Sequence, residues 1–399
     1  MITIHGTGCC LMDYLYAACD FSSEYFKKAM SKKEADGGLS PGKLVFAEDF
    51  ERFMGKPYNA ALAEITGKPP DSHNLGGPSV VSLAHAAQIL GDKAAVRYFG
   101  VRGNDKPADF VESALKKIPF NEYRLVRKDY PSPRTDVLSD PNYDNGHGER
   151  TFINLMGAAN YFYPDDLDND FFNADIVAFG ATALLPQIHK NLTGLLKQAK
   201  ETGAVTVANL VYDFQSDINS PGKKWNLGGK DDAYQYIDIL IADKDEALKT
   251  SGCADSGGYS VRHAIQWFMS HGTGAVIVTD GSRGISLAAG KGIFSPLEFL
   301  SMPVCTEIDR ELAAHPQRRG DTTGCGDNFA GGVIAGIAEQ LCAAPGEALD
   351  LRECAIQGTA AGGFACFTIG GTYYEESPGE KRNKLEPYIE AYRRQLGKR

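Results

Sequence analysis

The chain has 399 residues, 43% of them hydrophobic and 23% charged, with a formal net charge of −10 at pH 7. That length supplies a full core for one large domain or two, and the composition is that of an ordinary soluble globule. The acidic balance argues against nucleic acid as a partner, because a phosphate backbone calls for a basic face. Nine cysteines, spread from Cys9 to Cys366, form no Cys-x-x-Cys pair, a reduced pattern with neither a disulfide framework nor a structural zinc signature. The start of the chain has no charged n-region, Asp13 being the first charged side chain, and no run is long enough to span a bilayer. The expected setting is cytoplasmic. Arg393, Arg394, Lys398 and Arg399 read as a solvated helix end.

Taken in order, Ile2-Thr-Ile-His5 begins as a strand and stops at Gly6-Thr-Gly8. Residues from about 14 to 75 carry little strand signal and much Lys, Glu, Gly and Pro; they read as an excursion from the core. Gly76-Gly77-Pro78 opens a helix with Val80, Leu83, Ala84, Ala87 and Leu90 on one face and Gly91 as its stop. A strand follows at 95–99. Residues 121–153 read as short strands around a polar loop, 140–148. From about 174 the pattern becomes regular, with strands at 176–179, 205–211, 237–242 and 275–279. Helices fall at 187–201, 245–251 and 260–271. Apolar strands alternating with helices predict a mostly parallel sheet covered on both faces. Ligands of such sheets sit beyond the C-terminal strand ends.

Several motifs come close and fail. Gly6-Thr-Gly8 suggests a dinucleotide loop, but Leu11 occupies the place of the third glycine. Gly37-Gly-Leu-Ser-Pro-Gly-Lys43 is nearly a Walker A loop, yet Leu44 offers no hydroxyl and Lys32-Lys-Glu-Ala-Asp36 before it is no buried strand. Asp166, Asp168 and Asp170 have calcium-loop spacing without the required glycine, since Phe171 stands there. Neither a His-Glu-x-x-His zinc motif nor a serine elbow occurs.

What remains is Asp321-Thr-Thr-Gly-Cys-Gly-Asp327, running into a helix whose Phe329, Val333, Ile337 and Leu341 recur at steps of four. Glycines ahead of a helix leave backbone N–H groups open to an anion, which the helix dipole favours. Asp327 at that mouth either caps the helix or accepts a proton beside a bound phosphate.

This turn resembles the second signature of the ribokinase-like (PfkB) family of sugar and nucleoside kinases, Asp-Thr-x-Gly-Ala-Gly-Asp, with Cys325 in the alanine position. Gly76-Gly77 opening a helix and Gly100-Val-Arg-Gly103-Asn-Asp105 resemble the N-terminal half of the family. Glu149-Arg150-Thr151 through Gly157-Ala-Ala-Asn160 resembles the stretch returning from the lid in the adenosine-kinase branch. Asp243-Lys-Asp-Glu246 falls where the family carries Asn-x-x-Glu, and Thr279-Asp-Gly-Ser-Arg-Gly284 where it has a nucleotide turn. The fold so implied is a three-layer α/β/α sandwich with a mostly parallel sheet and a small β-rich lid. Residues 1–13, 76–120 and 154–399 would be core, and 14–75 and 121–153 lid.

The activity so implied is ATP-dependent transfer of the γ-phosphoryl group to a hydroxymethyl group of a sugar, with a nucleoside kinase or a silent nucleotide- or sugar-binding homologue as alternatives. Asp327 would be the general base, and Gly324, Cys325 and Gly326 the anion hole. Asp13, Gly76, Gly77 and Asp105 would hold the substrate. Thr279, Gly281, Gly284, Gly370 and Gly371 would border the nucleotide. Glu246 would organise Mg²⁺ through water, and Asp321 and Thr323 would bind a monovalent cation such as K⁺. Partners would be small molecules, with no nucleic acid and no membrane, and a homodimer through the lid is an option the resemblance offers. The sequence departs from the pattern at Val81, where an Asn is common, and at Asp243, Asp280 and Asn209.

Overall fold

The computed structural model describes residues 1–397 apart from 34–35, 147, 230–231, 254–259 and 291. Glu34 and Ala35 of the near-Walker stretch, His147 of the polar loop, and Lys398 and Arg399 of the basic tail lie outside the described residues.

The strands are β1 (Ile2–Gly8), β2 (Leu11–Tyr16), β3 (Leu44–Phe46), β4 (Ser72–Gly76), β5 (Ala94–Arg102), β6 (Glu122–Arg127), β7 (Arg134–Asp140), β8 (Glu149–Leu155), β9 (Ile176–Gly180), β10 (Val205–Asn209), β11 (Ile239–Asp243), β12 (Ala275–Thr279), β13 (Ile285–Ala289) and β14 (Leu297–Met302). The helices are α1 (Glu24–Ala29), α2 (Ala47–Met54), α3 (Tyr58–Thr66), α4 (Pro78–Leu90), α5 (Lys106–Leu115), α6 (Tyr143–Gly146), α7 (Pro186–Lys190), α8 (Leu192–Glu201), α9 (Phe214–Asn219), α10 (Lys244–Ser251), α11 (Val261–Ser270), α12 (Thr306–Ala314), α13 (Cys325–Ala343), α14 (Leu351–Ala365) and α15 (Glu380–Gln395).

Nine strands form one sheet in the order β14-β13-β12-β11-β10-β9-β1-β5-β6. Neighbours from β6 to β12 are parallel, and β13 and β14 close one edge antiparallel. The strands are apolar on both faces because both faces are covered. Ile4, Ile176, Val207, Ile239 and Ile277 share a cluster with residues of α4, α13, α14 and α15. Val177, Phe179, Leu240, Val276 and Val278 pack on the other side with α8 and α11. This is the three-layer α/β/α sandwich. The chain leaves β1 toward β5 and β6 but leaves β9 in the opposite direction, so the sheet has its switch point between β1 and β9. At that point α4 presses close. A Cβ on Gly8 would fall 2.3 Å from the Ser79 Cβ, and one on Gly6 2.5 Å from Leu83 Cδ1. These two glycines serve helix packing, which is why no dinucleotide loop follows them.

The lid is a second sheet, β3-β8-β7-β2-β4. Its extent differs from the sequence-based division at every boundary: β4 runs to Gly76 and β8 to Leu155, so Gly76, Asn154 and Leu155 belong to the lid sheet. Strand β2 begins at Leu11, so Asp13 belongs to the lid. Strand β6 pairs in parallel with β5, from Arg97↔Glu122 to Arg102↔Arg127, so residues 122–127 are the edge of the large sheet. The physical reason is α5, which carries the chain back across the sheet as a crossover helix. Within the first excursion α1, α2 and α3 cover one lid face, burying Phe26, Phe50, Tyr58 and Leu62 against Tyr16, Leu138 and Ile153.

Helix α13 also differs from its expected amphipathic form. From Asn328 to Ala338 every residue is buried. It runs between α4 and α14, with Gly331 against Ser82 and His85, and Gly332 and Gly336 against α14.

Candidate active site

The turn ahead of α13 is built by short-range chemistry and then fastened from outside. Gly324 is the N-cap residue, in the left-handed region at φ 74°, where a side chain would be strained. A Cβ there would also fall 2.5 Å from the Gly371 Cα, so two glycine loops touch directly. Asp321 folds the turn by accepting from the Thr323 amide at 2.8 Å. The segment is stitched to the end of α14 by the Gly320 amide on the Cys366 carbonyl and the Asp321 amide on the Thr368 carbonyl, both 2.8 Å. The Cys325 amide turns back onto the Thr322 carbonyl at 3.3 Å, while the next amides of α13 have no acceptor within the helix by position and carry the positive end of its dipole. Cys325 Sγ lies 3.6 Å from Cys366 Sγ, both as thiols.

Asp327 sits in this first turn, partly exposed at the crevice, and desolvation lifts its carboxyl to about 7. Asp13 faces it from the lid. It is 6% exposed, and its carboxyl is pushed up to about 8 by burial, with the negative charges of Asp327 and Asp321 adding to the shift. Gly76 is required by Asp13, because a Cβ at Gly76 would lie 2.1 Å from Asp13 Oδ2. Gly77 starts α4 at φ 106° against the Cys9 carbonyl. Asp13, Gly76, Gly77 and Asp327 thus converge on the crevice at the switch point.

Cross-strand register extends the cluster. Asn74, Asp13, Thr135, Asn154 and Phe46 stand in one row across β4, β2, β7, β8 and β3. Asn74, Asp13, Thr135 and Asn154 are all buried, and the Oδ1 of Asn154 has no hydrogen-bond partner. A buried carbonyl oxygen left unpaired is costly, so it marks a place where a donor is expected. Alongside this polar row the same face carries Leu15, Val137, Phe152 and Leu44 by register. Val81 turns elsewhere. It is buried in the core, 3.2 Å from the position of a Cβ on Gly371.

Arg150 is a functional candidate for which sequence reasoning named no role. From β8 its guanidinium donates to Thr322 Oγ1 at 2.6 Å and to Thr323 Oγ1, and it lies 3.8 Å from the Asp321 carboxylate. The Asp321 and Thr323 side chains therefore already face a cation, the guanidinium, where the sequence suggested a monovalent ion. The clue was its place on the strand returning from the lid; its partners are more than 170 residues away in the chain.

The remaining predicted residues divide. Glu246 forms a capping box with Asp243, each side chain accepting from the other's amide at 2.8 Å. Burial and the charges of Asp243 and Asp327 raise its carboxyl well above the usual range, which places it within electrostatic reach of the cluster. Thr279 ends β12 beside Asp243. Asp280 has a role after all: Arg283 and Lys244 pair with it and hold its carboxyl below the usual range. Gly281 opens the short turn after β12, whereas Gly284 is held by packing, its Cβ position 2.3 Å from the Met302 carbonyl. Gly370 and Gly371 lie against Asn74 and Gly324. Asp105 is not part of the cluster. It caps α5 through the Ala108 amide and binds the Ser132 amide at 2.8 Å and hydroxyl at 2.5 Å, so its carboxylate is spent tying α5 to the loop ahead of β7.

Among the described residues no group of three or more His, Cys, Asp or Glu converges as a direct metal site, and no helix is long and apolar enough to cross a membrane. A cavity of about 1010 Å³ opens between lid residues 31–53 and the segment 212–219. None of the cluster carboxylates lines it.

A three-layer α/β sandwich with a β lid, closing an aspartate and a glycine turn at a helix mouth, defines the ribokinase-like class of small-molecule kinases. Residues 75–377 match the pfkB family of carbohydrate kinases, and the chain belongs to that family. It is 25% identical over 330 residues to an adenosine kinase of Saccharomyces cerevisiae, covering 80% of this chain and 85% of the relative. It is 24% identical over 266 residues to a fructokinase of Vibrio alginolyticus, 65% of this chain and 75% of the relative. Among solved structures, the adenosine kinase from Schistosoma mansoni in complex with 2-fluoroadenosine superposes with a TM-score of 0.70 at 17% identity, covering 94% of this chain and 97% of that one. The ribokinase from Thermotoga maritima superposes with a TM-score of 0.62 at 18% identity, covering 98% and 100%.

Proposed function

We propose that this protein transfers the γ-phosphoryl group of ATP to a hydroxymethyl group of a sugar-type acceptor held between lid and core. The observation that carries the reading is the pairing of Asp327, a carboxyl at about 7, with amides of the α13 first turn at one helix mouth. A primary alcohol is a weak nucleophile at neutral pH, so a base poised near 7 within reach of it lowers the barrier. Asp327 takes the hydroxyl proton as the oxygen attacks phosphorus. The backbone amides of Gly324, Cys325 and Gly326 and the Arg150 guanidinium meet the charge on the transferring group. They stand fixed beforehand, so little reorganisation is spent during the reaction. Asp13, with Thr135 and Asn154 in its row, orients the hydroxyls of the acceptor. Thr279, Gly281, Gly370 and Gly371 would border the nucleotide.

Mg²⁺ would be organised from Glu246, whose carboxyl is raised by burial and by the negative charges of Asp243 and Asp327, a repulsion that a divalent ion would relieve. Glu246 would act through water, since one of its oxygens already serves the cap. When bound, the ion would neutralise phosphate charge. A nucleoside acceptor is the second reading, favoured by the apolar stripe of Leu15, Val137 and Phe152 beside the polar row, which suits a flat base next to a diol.

The test is a panel of pentoses, hexoses and nucleosides with ATP, Mg²⁺ and K⁺. Asp327→Asn should lower kcat by about 10²- to 10⁴-fold. Unchanged turnover in that variant would remove the base assignment, and no turnover of any alcohol by the wild type would remove the kinase reading.

A further inference from the structure

Behind the turn lies a buried polar network that the proposed chemistry does not use directly. Lys381, in the first turn of α15, is 2% exposed. Its ammonium donates to Gln88 Oε1 and Asn328 Oδ1, both at 3.0 Å, and stands 5.8 Å from the centre of the Tyr373 ring. Asn328 follows Asp327 directly. Its Nδ2 donates to the carbonyls of Gly324 and Gly371, each at 2.9 Å, and its Oδ1 also meets His85 Nδ1 at 3.0 Å. Gln88 Nε2 donates to the Tyr373 carbonyl at 2.7 Å.

This lysine is expensive. A buried ammonium pays desolvation, and a cation at a helix N-terminus opposes the dipole. Burial draws it down to about 7, with Glu375 pulling the other way. What it supplies is polarity. In its ammonium form Lys381 has donors and no acceptor, whereas His85 can take either tautomer and the two amides can each face either way. Opposite Lys381, only the oxygens of Gln88 and Asn328 fit. Their N–H₂ groups are then forced toward the carbonyls of Tyr373, Gly324 and Gly371.

We propose that Lys381 is a positioning residue for phosphoryl transfer: it fixes the Asn328 carboxamide in the one orientation that clamps the Gly324 and Gly371 loops together. The inference rests on reading residues 324–327 as the phosphate turn. The clamp sets where the first amides of α13 and the Asp327 carboxylate point, and such placement controls rate more than affinity.

Lys381→Met tests it, because methionine keeps the length and apolar stem without the donors. The expected result is a fall in kcat of about tenfold to a hundredfold. KM for ATP and for acceptor should stay within about twofold. The melting temperature should fall by no more than a few degrees, because relief of a buried ammonium offsets part of the loss of its bonds to Gln88 Oε1 and Asn328 Oδ1. Amide hydrogen exchange at residues 324–327 should accelerate. Wild-type kcat, or wild-type exchange at 324–327 in the folded variant, would overturn the proposal. Asn328→Asp decides the case if Lys381→Met does not fold. It keeps a partner for Lys381 but removes both clamping N–H groups, so it should show the same fall in kcat and faster exchange; wild-type values would refute the clamp. An inactive wild type would sink the kinase reading and with it the rate effect, whereas unchanged exchange at 324–327 in the variants of an active enzyme would sink the clamp alone.

Discussion

Asp327 works as a base only in its ionised form. Its carboxyl sits at about 7 because the crevice desolvates it, so the proton is held more firmly than on an ordinary aspartate. The acceptor kcat/KM should therefore climb with pH and level off above about 7. A kcat/KM already flat from pH 5 upward, on the order of two units below that point, would contradict the assignment. Asn154 invites a different substitution. Its orphaned Oδ1 waits for a donor from the acceptor, so Asn154→Leu should raise acceptor KM by about tenfold to a hundredfold while leaving ATP KM unchanged. Steady-state kinetics with each substrate varied in turn separates the two. Arg150→Gln should leave folding intact and lower kcat by about 10²-fold or more, as when one preorganised donor to a developing charge is lost.

At the level of elements, Asp105 shows a turn residue recruited to join a helix to a loop. Asp105→Ala removes the α5 cap and both bonds to Ser132. A cap alone costs about 1 kcal/mol, so thermal melting should fall by a few degrees with the chemistry otherwise intact. A large rise in acceptor KM at unchanged melting temperature would instead return Asp105 to the substrate site. The same scale shows what the sequence made legible. The parallel core, α4 from Pro78 to Leu90, and the glycine turn before α13 are all local patterns, and each was readable from periodicity or from a short motif. The polar row was not, because Asn74, Asp13, Thr135 and Asn154 come from four strands brought level only by register. Val81 was visible as a departure, but its partner, Gly371, lies almost 300 residues on. Arg150 stood in a recognised stretch, yet its contacts with Thr322 and Thr323 are a matter of lid closure. Strand β6 looked like lid because its polar, half-buried residues match an excursion as well as an edge strand.

For the molecule as a whole, α1, α2 and α3 carry a consequence beyond shape. They already occupy the face of the lid sheet turned away from the crevice, with Phe26, Phe50 and Tyr58 seated on Tyr16, Leu138 and Ile153. A lid-to-lid homodimer through that face would find its apolar surface taken, and stable association needs such surface. The protein should then elute as a single species near its chain mass of 43.1 kDa; a dimer persisting on dilution would require another contact. Activity per molecule should likewise stay constant as the enzyme is diluted. With that face of the lid covered from within the chain, turnover should be independent of encounter between subunits and of how abundantly the protein is made.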